Sequence, residues 1–289
     1  MITEACGISS YIEKLALSDT AVVHSVYERT INIALSSSAL LAIQKESSPV
    51  SPLTLLAGDD SIVFSDSLYI APGMEVHITS DLGKGKLISI EMAGLTMVIP
   101  GDAPRFDTEV PAALSPADYL AFESSVNVMQ IKSNASGDLI DQRAAQIKEK
   151  TRELFRDSKI DEAALCLTDL IGLGGGLTPA GDDFVTGVIS GIHSVSKMPL
   201  PADSHITSEE LGLFRKALFD EVSGRSSDTN DISSAFLSAS LDGQTSLPLK
   251  SFLIRPSHES IRDISRIGHT SGMDALEGLL FFFKLLSHQ

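Results

Sequence analysis

Residues 170–183 read LIGLGGGLTPAGDD and separate two segments whose apolar residues recur at helical spacing. Glycine accepts a positive φ and lets another group approach closer than a Cβ would allow. Thr178 is predicted to be the N-cap of the second helix, with Pro179 at its first helical position. The loop is therefore expected to present free N–H groups at a helix N-terminus, an arrangement that favours a bound anion.

Asp182 and Asp183 follow in the first turn of the same helix. Adjacent helical residues diverge by about 100°, so only one of the two is expected to face a ligand. A bound anion would have to be screened from that carboxylate by an arginine or a divalent cation, and Mg²⁺ commonly uses one or two protein carboxylates. The pair is predicted as catalytic residues and as metal ligands, and the sequence leaves open whether Mg²⁺ is needed.

A second stretch repeats this pattern, because GLTPAGD at residues 176–182 and GHTSGMD at 268–274 share Gly-x-Thr-x-x-x-Asp. Thr270 or Ser271 is predicted to cap the last helix, and Ser271 to Asp274 fits a capping pattern. Two such helix entrances could converge on one pocket, with His269 at its rim as a donor or general acid/base. The alternative for both turns is the ordinary packing of helical hairpins.

Two further residues are weighed against structural alternatives. Asn230 either caps the helix that begins near Ile232 or contacts a ligand, and Arg29 is either an anion clamp or part of a surface ion pair. The predicted catalytic residues are Asp182, Asp183 and His269. The predicted substrate-binding residues are Arg29, Gly174, Gly175, Gly176, Thr178, Gly181, Asn230, Thr270, Ser271 and Asp274.

The rest of the chain predicts an α+β fold. Short segments rich in Val, Ile and Thr fill the first third and predict a small all-β barrel or sandwich over residues 1–110. A proline-rich stretch, residues 100–116, marks the boundary. Apolar spacing of three and four residues then predicts a mostly helical domain over 111–289, which carries the glycine loop.

Composition excludes several classes of partner. The net charge of −16 repels nucleic acid, and there is no basic run with interleaved aromatic residues. No apolar run is long enough for a membrane helix, and the first residues lack a signal pattern. Cys6 and Cys166 lack the spacing of a zinc site or a disulfide framework. We therefore expect a cytoplasmic protein that binds neither nucleic acid nor membrane.

The chain resembles the AllH-like family at three places: GLGGGLTPAGDDFVTG at residues 172–187, HSVYERTINIAL at 24–35 and GHTSGMDALEG at 268–278. The resemblance implies a subunit associated with bacterial oxamate carbamoyltransferase in anaerobic allantoin degradation. That enzyme converts oxalurate and phosphate to oxamate and carbamoyl phosphate, alongside two other kinds of subunit. A hetero-oligomer and a small anionic metabolite are thus the implied partners.

Three functional hypotheses remain open at this point. The first is an enzyme subunit in carbamoyl transfer, where preorganised donors stabilise the developing oxyanion. The second is a noncatalytic assembly or ligand-sensing subunit. The third is a stand-alone metal-dependent hydrolase that uses Asp182, Asp183 and Asp274. The sequence shows no Ser-His-Asp or Cys-His nucleophile set, which favours direct attack by phosphate over a covalent intermediate.

Overall fold

The computed structural model describes residues 2–15, 20–35, 39–58, 69–81, 87–92, 95–112, 116–126, 139–200, 204 and 206–287. It divides into two compact units, Met1–Thr108 and Glu109–Gln289. The first unit is a β-barrel and the second is helical, so the expected α+β class is confirmed.

Within its described residues, the first unit has the strands β1 (Ile2–Ser9), β2 (Thr20–Val26), β3 (Thr30–Leu35), β4 (Leu40–Lys45), β5 (Thr54–Ala57), β6 (Glu75–Asp81), β7 (Leu87–Met92), β8 (Leu95–Ile99) and β9 (Arg105–Phe106). Eight of them form a closed barrel in the order β5-β4-β3-β2-β6-β7-β8-β1, and an antiparallel pairing of β1 with β5 closes the ring. The ninth, β9, pairs in parallel with β1.

Alternating β-branched and leucine side chains fill the barrel. Ile31 and Ile33 of β3 lie opposite Ile43 and Leu41 of β4, and all four are buried in one apolar cluster. Because successive side chains of a strand point to opposite faces, this register puts one apolar face of each strand inside the ring.

The second unit contains nine α-helices within its described residues. They are α1 (Pro116–Val126), α2 (Leu139–Arg156), α3 (Ile160–Thr168), α4 (Ala180–Val195), α5 (Ser208–Gly224), α6 (Asp231–Leu241), α7 (Leu247–Ile254), α8 (His258–Ile264) and α9 (Ser271–Leu286). None of them is long and apolar enough to cross a membrane.

Helices α4 and α9 form the centre of this unit. Phe281, Phe282 and Phe283 of α9 are almost completely buried, as are Val188 and Ile192 of α4. The segment LLFFFKLL, residues 279–286, therefore belongs to the core of the helical unit. Burying a phenylalanine side chain contributes about 1.5–3 kcal/mol to folding.

The sequence predicted most of these elements, with some differences. Strands β1, β5 and β9 and helix α7 were not predicted, because none of them shows a sustained apolar period of two residues or of three to four. SIVFSDSLYI, residues 61–70, is one of the Val- and Ile-containing segments of the first third that predict strands, and its residues 61–68 lie outside the described residues.

Candidate functional site

The glycine loop connects α3 to α4 and is held at its base by Asp182. One carboxylate oxygen of this 2% exposed residue accepts a hydrogen bond from the Gly172 N–H at 2.7 Å. The other accepts from the hydroxyl of Thr229, just before α6. Hydrogen bonds to a charged group contribute about 1.5–3 kcal/mol each. Asp182 thus joins the start of the loop to a second segment of the unit.

Three loop glycines have backbone conformations that disfavour other residues. Gly172 has a φ of 75°, Gly174 of 133° and Gly176 of 95°, and a Cβ on Gly174 would lie 2.6 Å from the Ala180 nitrogen. By contrast, Gly175 has no positive φ and has open space around its Cβ position. Within the described residues, no hydrogen bond engages the N–H of Gly174, Gly175 or Gly176. The loop therefore keeps backbone donors available near the start of α4.

Helices α4 and α9 pack through two reciprocal glycine contacts. A Cβ on Gly187 would lie 1.9 Å from the Ala275 carbonyl oxygen, and one on Gly278 would lie 1.9 Å from that of Phe184. The residue numbers of the contacting pairs increase along both helices. Thr178 contacts Ser271 at one end, and Gly191 contacts Phe282 further along. The two helices thus run in the same direction, which puts both N-termini at one end of the pair.

The two turns predicted to converge do lie side by side. The Thr178 hydroxyl is 2.6 Å from the Ser271 hydroxyl, although 93 positions separate these residues. The capping predictions need correction, because Pro179 rather than Thr178 is the N-cap residue of α4. Thr270 is the N-cap residue of α9 but makes no side-chain capping bond. The Thr178 and Ser271 hydroxyls instead link the two helix entrances.

The two helices α4 and α9 make equivalent contacts with each other, but their residues correspond with a shift of one position from the sequence pattern. The reciprocal contacts pair Gly187 with Gly278, and so make Asp183, rather than Asp182, the counterpart of Asp274. The shared Gly-x-Thr-x-x-x-Asp spacing had matched Asp182 with Asp274. The contacts between the two helix backbones determine which residues correspond, whereas a short sequence pattern can match with an offset of one residue.

Asp183 lies where the two helix entrances meet, and its Oδ2 atom is buried without a hydrogen-bond partner among the described residues. Burial, with smaller contributions from the charges of Asp274 and Asp182, raises the pKa of Asp183 from 3.8 to about 7. The neighbouring hydroxyls of Ser271 and Thr178 oppose this rise in pKa. Near neutral pH this carboxyl can therefore bind or release a proton.

Chemically, this end of the helix pair combines backbone donors, two hydroxyls and a protonatable carboxyl. Parallel helices add their positive N-terminal ends at one place, which favours negative charge there. Asp183 and Asp274 supply part of that charge themselves. Protonation of Asp183 removes one of these negative charges, and the resulting O–H group could donate a hydrogen bond to a small anion.

The other predicted site residues are distributed as follows. His269 and Thr270 are exposed on the turn before α9, and Gly181 is buried in the first turn of α4. Asn230 caps α6 by accepting from the N–H groups of Ile232 and Ser233. Arg29 belongs to the barrel unit, where its guanidinium donates to the Ser47 hydroxyl at 2.7 Å.

No metal site emerges from the side chains whose positions are described: among them, no group of three or more His, Cys, Asp or Glu residues could hold a metal ion. Asp182 and Asp183, predicted as metal ligands, differ in their surroundings. The protein itself engages both Asp182 oxygens, whereas Asp183 retains the partnerless Oδ2.

Sequence reasoning missed one partly buried interaction beside α4 and α9. The Lys148 ammonium of α2 donates to Glu277 of α9 at 2.6 Å and lies 4.2 Å from the centre of the Phe184 ring. It therefore contacts both central helices. Its only sequence signal is its place on the amphipathic helix α2, and lysines at such positions are usually solvated.

Comparison with known protein families identifies both units. The model described as oxamate carbamoyltransferase subunit AllH matches residues 170–283, and the model of the AllH family N-terminal domain matches residues 4–99. The first match contains the glycine loop, the whole of α4 and most of α9, and the second covers most of the barrel. Comparisons with curated proteins and with solved structures gave no match. The two family matches, which together span most of the chain, show that it belongs to the AllH family.

Proposed function

We propose that this chain is a cytoplasmic subunit of an oxamate carbamoyltransferase and binds the small anionic reactant at the adjoining N-termini of α4 and α9. The reactant would be oxalurate or oxamate, phosphate or carbamoyl phosphate. The other partners of this chain would be the remaining subunits of a hetero-oligomer, as the family description suggests. The proposal depends above all on the contact between Thr178 and Ser271, which brings two helix entrances together.

In this proposal the loop binds the anion through backbone donors. The N–H groups of Gly174, Gly175 and Gly176 are available, and the Thr178 and Ser271 hydroxyls add donors on the facing side. A helix N-terminus contributes about 0.3–1 kcal/mol per unit charge at an exposed site and more when partly buried. Because the two helices are aligned, their contributions to anion binding add at this end.

The carbamoyl-transfer step requires charge stabilisation and one proton. Phosphate attacks the carbamoyl carbon of oxalurate, negative charge develops on the carbamoyl oxygen, and the departing oxamate nitrogen must gain a proton. The loop N–H groups would stabilise that oxygen. We assign Asp183 as the proton donor, because a pKa of about 7 suits general acid catalysis near neutrality. Asp182 holds the loop in position, and His269 stands at the rim.

The test uses a matched pair of loop variants. Gly176→Val puts a β-branched side chain at a φ of 95°, whereas Gly175→Ala adds a methyl group in open space without a positive φ. Thermal shift and calorimetry with phosphate, oxalurate, oxamate and carbamoyl phosphate would measure binding, since a ligand of the native state raises its stability. We expect Gly176→Val to abolish binding and Gly175→Ala to retain it.

Unchanged affinity in a folded Gly176→Val variant would refute the loop assignment. Catalysis is tested separately, by assaying the chain alone and with the other subunits. Activity that requires this chain and is lost in Asp183→Asn, while ligand binding persists, is the expected result. Full activity of Asp183→Asn would remove Asp183 from the chemistry.

A further inference from the structure

A cavity in the helical unit is lined by cations. It has a volume of about 200 Å³ and lies at the C-terminal ends of α2 and α9. Its lining includes Arg152, Arg156 and Lys284, together with the hydroxyl-bearing Ser158 and Ser287, and no carboxylate is among the described lining residues. In a chain of net charge −16, three cations facing one cavity are a marked local exception.

Two of these cations are held in place by neighbouring groups. Arg152 donates to Glu149 at 2.8 Å, and its guanidinium lies 4.8 Å from the centre of the Phe281 ring. The Lys284 ammonium donates to Glu123 at 2.8 Å. Fixed orientation reduces the entropy lost when such a side chain binds a ligand.

Arg156 differs from both, because none of the described carboxylates forms an ion pair with it. It lies four residues after Arg152, and both guanidiniums line the same cavity. Like charges at this spacing destabilise a helix by about 0.2–0.5 kcal/mol. Helix-dipole compensation explains a basic residue in the last turn of α2.

The backbone at the cavity rim is also unusual. Ser158 has a φ of 57°, and it is the one non-glycine among the described residues with a positive φ. Such a conformation favours glycine or asparagine at a helix C-terminus and costs another residue about 1 kcal/mol. Retaining serine keeps a hydroxyl at the rim of a cationic cavity, as expected where strain serves binding.

We propose that this cavity is a second anion site, separate from the glycine loop, that binds a compact oxyanion such as a phosphate group. The Arg152 and Arg156 guanidiniums supply paired N–H donors, which suit the geometry of phosphate oxygens. Lys284 adds an ammonium group from the opposite helix, and the Ser158 hydroxyl adds a donor at the rim, whereas the Ser287 hydroxyl donates to the Lys284 carbonyl.

Inorganic phosphate is the probe, added to the full chain at constant ionic strength. The readout is the amide resonance of Ser158 in a ¹H–¹⁵N spectrum, which reports this cavity and not the glycine loop. We expect a shift that saturates with phosphate, and Arg156→Gln should weaken binding about three- to tenfold. The matched control is Arg143→Gln, which removes the same charge from an exposed position of α2 and should leave the affinity unchanged.

A second variant separates binding from structure. Ser158→Gly removes the hydroxyl and relieves the positive φ, so it should raise the melting temperature while it weakens phosphate binding. Absence of a saturable shift at Ser158, or equal weakening by Arg143→Gln, would overturn the proposal. Loss of phosphate binding at the glycine loop in Gly176→Val, with the Ser158 response intact, would show that the two sites are independent.

Discussion

Gly278 of α9 packs directly on the backbone of Phe184 in α4, with no space for even one methyl group between them. The reciprocal contact at Gly187 repeats this geometry on the other helix. Close approach of two parallel helices is therefore a condition for the site, because it brings their N-termini together.

Gly278→Ala should destabilise the helical unit by about 1–3 kcal/mol or more, since an added Cβ would collide with a carbonyl oxygen rather than a flexible side chain. The control is Gly212→Ala in α5, where nothing lies within 4 Å of the Cβ position. That change should stabilise the protein by about 0.4–1 kcal/mol. Urea denaturation measures both, and equal stability of the two variants would contradict the packing described.

Asp182→Ala should destabilise the protein and loosen the glycine loop. The Gly172 N–H and the Thr229 hydroxyl would each lose an acceptor, at a cost of about 1–3 kcal/mol for a buried group left unpaired. Asp182→Asn should be milder, because its amide can accept from one partner and donate to the other. Hydrogen exchange at Gly172 is the measurement, and unaltered protection in Asp182→Ala would show that the loop is held by other contacts.

Asp183 predicts a specific pH dependence of stability. Its folded-state pKa of about 7 lies above the ordinary value of 3.8, so between these values the native state holds a proton that the unfolded chain has released. This difference in bound protons stabilises the native state relative to the unfolded chain. The stabilisation is fully present below about pH 4 and is lost as the pH rises through about 7. The shift corresponds to about 4 kcal/mol as an upper limit.

Asp183→Asn is neutral at every pH and should abolish this dependence. Relative to Asp183→Asn, the unfolding free energy of the wild type is therefore expected to fall steadily from about pH 4 to about pH 7. Above pH 7 the difference between the two proteins should stay constant. Denaturant titrations across this range measure it. Parallel pH profiles for the two proteins would mean that Asp183 keeps an ordinary pKa.

How much the sequence could predict depended on whether a feature was local. Helix α4 was predicted closely because its apolar period and its Thr-Pro entrance are written within a few residues, although the N-cap was misplaced by one. Strand β5, only four residues long and buried throughout, offered no alternation to recognise. Its role in closing the barrel depends on its pairing with β1, which lies about 50 residues earlier in the chain.

By itself, the sequence determined the two kinds of secondary structure, the glycine loop and the likeness of its two helix entrances, because backbone propensity and side-chain period act over short distances. Tertiary structure alone decided that α4 and α9 run in parallel with Thr178 against Ser271, and that Asp183 rather than Asp182 corresponds to Asp274. It also gave the adjacent aspartates different environments, one hydrogen-bonded at both oxygens and the other with its Oδ2 left without a partner. Packing and desolvation depend on what the folded chain brings close, and residue order does not reveal that.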